Sequence, residues 1–286
     1  MSEGVEGASS THARMTGRGE RRDVRRRRVA SASWRSPSTG LMYGLLELDV
    51  TAAEEWWGAQ PGVTATHVAG CAVAQAFAAC PDARGMVVAG RIRTRDAVDV
   101  SFLVDRDGRD LSSVCVRDAD RLDPRRLAEV LSAAATETRG GRDRQLGRAA
   151  TIVSSSPSPL RRALLYGAGL WTSGMGRQLG PARLEAHPFG SVVVSSIGMF
   201  GLDTAFAPIL PYARNAGTVV VGEVRWRPRV IEGDVVSRRV LRLGVTLDHR
   251  LVDGAQAGLM AGIVRQAVER PWDTWGGTMP PPSLPG

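Results

Sequence analysis

Leu243-Gly244-Val245-Thr246-Leu247-Asp248-His249-Arg250-Leu251-Val252-Asp253-Gly254 is the stretch on which the reading of this chain turns. Its first half alternates apolar and small or polar residues and predicts a strand ending at Asp248. From Asp253 to Arg270 the periodicity changes, with Ala257, Met260, Ala261 and Val264 on one face, which predicts a helix. His249 stands at the junction. A histidine just outside the end of a strand is placed to meet a substrate, whereas one within the strand would fill the core. The chain has three other histidines: His12 in an arginine-rich N-terminus, and His67 and His187 without acidic or glycine-rich company. Asp253 follows His249 by four residues, and Gly254 permits close backbone approach. A neutral imidazole, with an ordinary pKa of about 6.5, can take a proton from a thiol or hydroxyl near neutral pH.

Strands and helices follow one another outward from this junction without strict alternation. Tyr43 to Val50 predicts a strand, and Thr51 with Glu54 three positions on has the spacing of a capping box at a helix start. Thr66 to Ala79 is apolar on all sides, a buried helix stopped by Pro81. Three strands are expected between Gly90 and Arg117, at Arg91 to Arg95, Val98 to Val104 and Leu111 to Val116, with Asp107-Gly108 as the turn between the last two. Asp123-Pro124 opens a helix running to about Thr138, and the charged stretch 140–148 reads as a mobile loop. Ser191 to Ser195 is a strand followed by the turn-rich Ile197-Gly198-Met199-Phe200-Gly201. Thr218 to Arg225, Arg229 to Glu232 and Val240 to Asp248 are further strands, with Glu232-Gly233-Asp234 as a hairpin turn. Leu160 to Leu179 predicts an amphipathic helix, lying on a membrane or substrate or forming an ordinary insertion. Its four internal glycines weaken the membrane reading. The pattern as a whole is α+β with a mixed sheet.

Composition excludes several function classes. At 286 residues and 43% hydrophobic content, the chain can bury one large core. No uninterrupted apolar run reaches the ~18 residues of a membrane span, and no apolar segment follows Arg21 to Arg28 as a secretory signal requires. The expected location is the cytoplasm. Cys71, Cys80 and Cys115 are odd in number and widely spaced, so neither a disulfide framework nor a metal site is expected, and they read as small buried residues. Much of the formal charge of +8 sits in residues 17–28, a solvated tail, so no nucleic-acid partner is expected. All 37 basic residues are arginines. A covalent lipoyl or biotinyl arm and a pyridoxal Schiff base each require a lysine amine, so these residues carry none of them.

The segment Asp248-His249-Arg250-Leu251-Val252-Asp253-Gly254 resembles the active-site motif of the catalytic domain of 2-oxo acid dehydrogenase E2 acyltransferases, of the chloramphenicol acetyltransferase-like superfamily. Further stretches match in order: Leu48 to Thr51, Cys80-Pro81-Asp82, Val98-Asp99-Val100, and Val193 to Gly201 followed by Ala207-Pro208-Ile209. The resemblance spans roughly residues 38 to 270 and implies a two-layer α+β sandwich over 39–272. A disordered basic tail would precede it at 1–38, and a flexible Pro/Gly-rich tail would follow at 273–286. It also implies an acyltransferase moving an acyl group between coenzyme A and a dihydrolipoyl thiol on a separate protein. In the roles it implies, His249 is the general base and Ser195 the hydroxyl that stabilises the oxyanion, with Ser196 as the fallback. Asp253 orients or hydrogen-bonds near the imidazole, and Arg250 pairs with a carboxylate. The family's site forms between subunits of a trimer, so a homotrimer is expected, with E1 and E3 components as further partners. Two other readings stay open: a stand-alone acyl-CoA acyltransferase acting on a small alcohol or amine, and a non-catalytic trimeric scaffold. The stretch 160–187 is longer than the family's usual connection.

Overall fold

A computed structural model describes residues 40–106, 110–139, 153, 155–180 and 185–279. The expected N-terminal tail, the 140–148 loop and the Asp107-Gly108 turn lie outside these residues. Seven strands form one sheet: β1 (Leu41–Asp49), β4 (Val100–Arg106), β5 (Asp110–Val116), β6 (Val192–Ser196), β7 (Gly217–Val221), β8 (Arg225–Ile231) and β9 (Asp234–Asp248). Their order is β1-β9-β7-β6-β4-β5, with β8 on the first half of β9. β6 runs parallel to both β4 and β7, and the other pairs are antiparallel, which is the mixed sheet expected. A separate hairpin joins β2 (Met86–Val88) to β3 (Arg91–Arg93).

One face of the sheet is packed by α2 (Ala65–Ala79), α3 (Pro124–Arg139) and α5 (Gly254–Glu269). Side chains alternate along a strand, so every second residue joins this layer. Leu48, Val100, Phe102, Val192, Val194, Val219, Val221, Leu241 and Leu243 do so together with Val68, Leu127 and Val264. α2 reaches the sheet because Gly70 leaves room: a Cβ there would stand 2.6 Å from the ring of Phe102. The intervening residues, Ser195 among them, point to the opposite face. Among the described residues no helix packs on the centre of that face, and the 203–206 loop presses on it so closely that a Cβ on Gly222 or Gly244 would collide with a carbonyl of Asp203 or Ala205.

The structure corrects several local expectations. No capping box forms at Thr51. α1 (Thr51–Gly58) is preceded by Val50 without a side-chain cap, because β9 draws both side chains away. Thr51 Oγ1 accepts from the Arg239 amide at 2.9 Å, and Glu54 takes the Arg239 guanidinium bidentately at 2.6 and 2.7 Å. The box forms instead at α2, where Thr64 caps and His67 Nδ1 accepts from the Thr64 amide at 3.0 Å. The run expected as one strand from Thr218 to Arg225 is broken at Gly222, where the loop crosses. β9 begins at Asp234, because pairing resumes directly after the Glu232-Gly233 turn. The C-terminal tail begins later than residue 273. α6 (Pro271–Trp275) packs the Trp275 ring 6.3 Å from that of Trp56, whose Nε1 donates to the Gly276 carbonyl at 3.1 Å. The insertion consists of α4 (Ser158–Gly169) and a π-helical turn (Leu170–Gly174). Among the described residues no helix is long and apolar enough to cross a membrane.

Candidate active site

The turn after β9 is held from four directions. The His249 amide donates to the Gly40 carbonyl at 3.0 Å, just ahead of β1, and the Leu251 and Val252 amides donate to the Asp248 carbonyl at 2.9 and 3.1 Å. Arg250 turns back on Asp248, donating from Nε to both carboxylate oxygens at 2.9 and 3.1 Å and also through Nη2. The pairing expected for Arg250 is therefore with its own strand end, and it raises the Arg250 pKa. Asp248 is 5% exposed, so the pair fixes a buried carboxylate at the base of the turn. Leu251 and Val252 anchor the turn in the core.

His249 itself is exposed, and its Nδ1 lies 2.9 Å from the Val252 carbonyl. A carbonyl only accepts, so Nδ1 carries the proton and Nε2 of the neutral ring is left with its lone pair facing outward. The local chain thus selects the tautomer a general base needs.

Asp253 begins α5. Its Oδ1 accepts from the Gln256 amide at 2.8 Å, and its own amide donates to Gln256 Oε1 at 2.9 Å, a reciprocal capping box. Gln256 Nε2 also reaches Asp82 at 3.3 Å. The contacts of Asp253 within this chain are to the helix start, and through it they set where the turn ends.

Ser195 is placed elsewhere. It lies in the middle of the sheet, opposite Leu103 of β4 and Val220 of β7, and is half-buried. Among the described residues no hydrogen bond holds its hydroxyl or that of Ser196. Val220 faces Gly244, and His249 comes five residues after Gly244. Five residues at about 3.3 Å and two strand spacings of about 4.8 Å put Ser195 and His249 roughly 19 Å apart within one chain. The structure therefore does not bring these two together in a single copy. Exposed apolar side chains follow β6 at Met199 and Phe200, and others stand farther across the sheet at Tyr43 and Leu45 of β1 and at Phe206 near Gly244, with Tyr43 and Phe206 edge-to-face at 5.9 Å. A cleft of about 860 Å³ opens beside β4 and β6, between α2 and α3, and Thr64, Thr66, His67, Arg125, Glu129 and Ser132 are the polar and charged groups in its wall. Among the described residues no cluster of His, Cys, Asp and Glu could hold a metal.

Sequence reasoning missed the main-chain partners of His249. Any residue supplies a carbonyl, so Gly40 and Val252 carry no side-chain signal. It also missed Arg214, which stands between the site and the insertion. Arg214 Nη1 donates to the Val87 carbonyl at 2.9 Å, and burial followed by the charge of Arg250 lowers its pKa.

Residues 173–275 match the family model described as 2-oxoacid dehydrogenases acyltransferase (catalytic domain). The probable dihydrolipoyllysine-residue succinyltransferase component of the 2-oxoglutarate dehydrogenase complex of Schizosaccharomyces pombe is 33% identical over 100 residues, 35% of this chain and 22% of that protein. The lipoamide acyltransferase component of the branched-chain alpha-keto acid dehydrogenase complex of Pseudomonas aeruginosa is 30% identical over 92 residues, 32% of this chain and 21% of that protein. The match thus spans about a fifth of the length of these relatives. The solved structure of a probable dihydrolipoamide acetyltransferase from Listeria monocytogenes superimposes with a TM-score of 0.60 at 19% identity, covering 92% of this chain and 96% of that one. Dihydrolipoamide acetyltransferase of Azotobacter vinelandii gives 0.62 at 19% identity, covering 88% and 89%, and the structural work on it concerns a serine, a histidine and an asparagine in its mechanism. These structures establish the shared fold.

Proposed function

We propose that this chain, whose residues 173–275 match the model of the 2-oxoacid dehydrogenase acyltransferase catalytic domain, transfers an acyl group between coenzyme A and the thiol of a dihydrolipoyl group. The observation that carries this reading is the bond from His249 Nδ1 to the Val252 carbonyl, which leaves Nε2 as a base at an exposed strand end. In the reaction Nε2 takes the proton of the attacking thiol, the sulfur adds to the thioester carbonyl, and the tetrahedral oxyanion collapses with expulsion of the second thiolate. That thiolate recovers the proton from the imidazolium. The oxyanion needs a positioned donor, and the Ser195 hydroxyl is that donor in this reading. The serine and histidine named for the Azotobacter enzyme support the pairing, and the four-residue spacing of His249 and Asp253 equals that of its histidine and asparagine.

If both residues serve one site, a separation of roughly 19 Å requires His249 of one copy to meet Ser195 of another, and the exposed apolar face near Tyr43 and Phe206 supports a homotrimer as the assembly that joins them. The 286 residues contain no lysine, so in this reading the lipoyl arm is borne outside them, on a lipoyl domain working with E1 and E3 components. The test is acetyl transfer from acetyl-CoA to free dihydrolipoamide. His249→Ala should lower kcat by about 10²- to 10⁴-fold with the trimer intact. Turnover confined to small alcohols or amines would replace the acceptor, and retention of full activity in His249→Ala would remove the proposed base.

A further inference from the structure

The insertion, which the mechanism above does not use, is linked to the His249 turn through the loop 212–216. A Cβ on Gly169 would collide with the backbone of Tyr212, and one on Gly174 would stand 3.7 Å from Arg214 Cδ. Arg214 in turn holds the Val87 carbonyl of β2, and two residues further along the Ala216 carbonyl accepts from the Asp248 amide at 2.9 Å. The π-helical turn and the β2–β3 hairpin therefore flank one loop whose end is paired with the start of the His249 turn.

Both flanks show the same surface. On the hairpin, Arg91, Ile92 and Arg93 are all exposed. On the insertion, Trp171, Met175 and Arg177 are exposed. Trp171 is held for contact: its Nε1 donates to the Gln178 carbonyl at 3.1 Å, and the Arg177 guanidinium lies 5.7 Å from its ring centroid. Among the described residues Arg91, Arg93 and Arg177 have no carboxylate within ion-pair reach. Asp99 is engaged by Arg95 and Arg117, and Glu185 by Arg117, while Asp96, three residues after Arg93, is exposed and lies beyond ion-pair distance of these guanidinium groups. Uncompensated guanidinium groups around an ordered tryptophan and two further apolar side chains are the composition of a protein-binding surface. They are spread over two elements and do not converge on one point as a phosphate site would.

We propose that this collar docks an acidic carrier domain, the protein that brings the thiol-bearing arm to His249. The proposal rests on the transfer reaction above, and it adds that the acceptor is recognised through its protein as well as through its thiol. Opposite charge on the partner raises the rate of encounter and confers salt dependence.

The experiment compares two acceptors with acetyl-CoA as donor: an isolated dihydrolipoyl domain of net negative charge, and free dihydrolipoamide. The double variant Arg91→Glu/Arg93→Glu and the single variant Arg177→Glu should lower kcat/KM for the domain by about tenfold or more, leaving kcat/KM for free dihydrolipoamide and the KM for acetyl-CoA unchanged. Added salt should weaken use of the domain by the wild type and have little effect in the variants. Calorimetric titration with the same domain reads docking without turnover. An inactive wild type that still binds the domain through the collar would break the transfer reading and keep this one. Equal effects on both acceptors, a raised KM for acetyl-CoA, or a trimer dissociated by the substitutions would overturn it, assigning the collar to catalysis, to coenzyme A or to a second copy respectively. Arg91→Gln/Arg93→Gln, which adds no new charge, should show the same direction with a smaller effect, and its circular dichroism checks folding.

Discussion

The turn bearing His249 and the strand bearing Ser195 are built in opposite ways. The turn is complete within one chain: Gly40 holds the amide of His249, Val252 holds its ring, Arg250 neutralises Asp248, and Asp253 closes the turn as a helix cap. The strand is complete as backbone, paired on both sides, yet the Ser195 hydroxyl has no hydrogen bond among the described residues, and exposed apolar side chains follow the strand and stand farther across the sheet. One candidate residue is fixed within its own chain and the other is not. If the proposed pairing between copies holds, a polar group beside an exposed apolar face is what an interface residue looks like in a single copy.

Complementation puts the strongest pressure on this contrast. Ser195→Ala should lower kcat by about 10²- to 10³-fold through loss of one oxyanion donor, and His249→Ala by about 10²- to 10⁴-fold. Co-expression of the two should restore roughly a quarter of the wild-type sites, since each site needs one intact residue from each neighbour in a randomly mixed ring. Activity that stays at the level of the better parent would show that the two residues do not meet between copies.

Asp253 offers a middle-sized effect that separates positioning from chemistry. Asp253→Ala removes a helix cap and should cost about 1 kcal/mol of stability, whereas Asp253→Asn keeps an accepting oxygen and should lose much less. Thermal unfolding measures the cost. If the Asn variant unfolds like the wild type but loses activity, the carboxylate acts on the imidazole as well as on the helix.

The smallest effect concerns acid stability. Burial lowers the pKa of His67 below its ordinary 6.5, and burial followed by the charges of Arg95 and Arg117 does the same for His187. Well above pH 6.5, by about a unit or more, neither the folded nor the unfolded chain protonates these rings appreciably. As the pH falls below that value the unfolded chain takes up protons first, so stability is lost until the pH passes the folded pKa. His67→Gln keeps an acceptor for the Thr64 amide and removes one titration, so its unfolding midpoint should fall less steeply between about pH 7 and 5. Identical slopes would place the acid sensitivity elsewhere.

Most strands and helices were legible because their signals are local. The period of two in β1 and β9, the all-apolar α2 and the Pro at the first turn of α3 each describe what a short segment buries. Where reading went wrong, a distant partner had overridden a local preference. Arg239 took Glu54 from the expected capping box, and the 203–206 loop broke the run after Val221. The β2–β3 hairpin was half missed because its turn places Ala89 and Gly90 at positive φ, and Ala89 is not among the residues that advertise such a turn. The later start of the C-terminal tail depended on Trp56, 219 positions away from Trp275 along the chain.

The sequence by itself determined which side chain can act as base and what the chain cannot carry. A histidine between a strand and a helix start is a local pattern, and the absence of lysine is a property of composition alone. Only the tertiary structure decided which imidazole nitrogen is free, that Asp253 caps the helix, and that Ser195 stands a sheet's width from His249. Those depend on carbonyl directions and strand register, which arise from pairings between residues far apart in the chain.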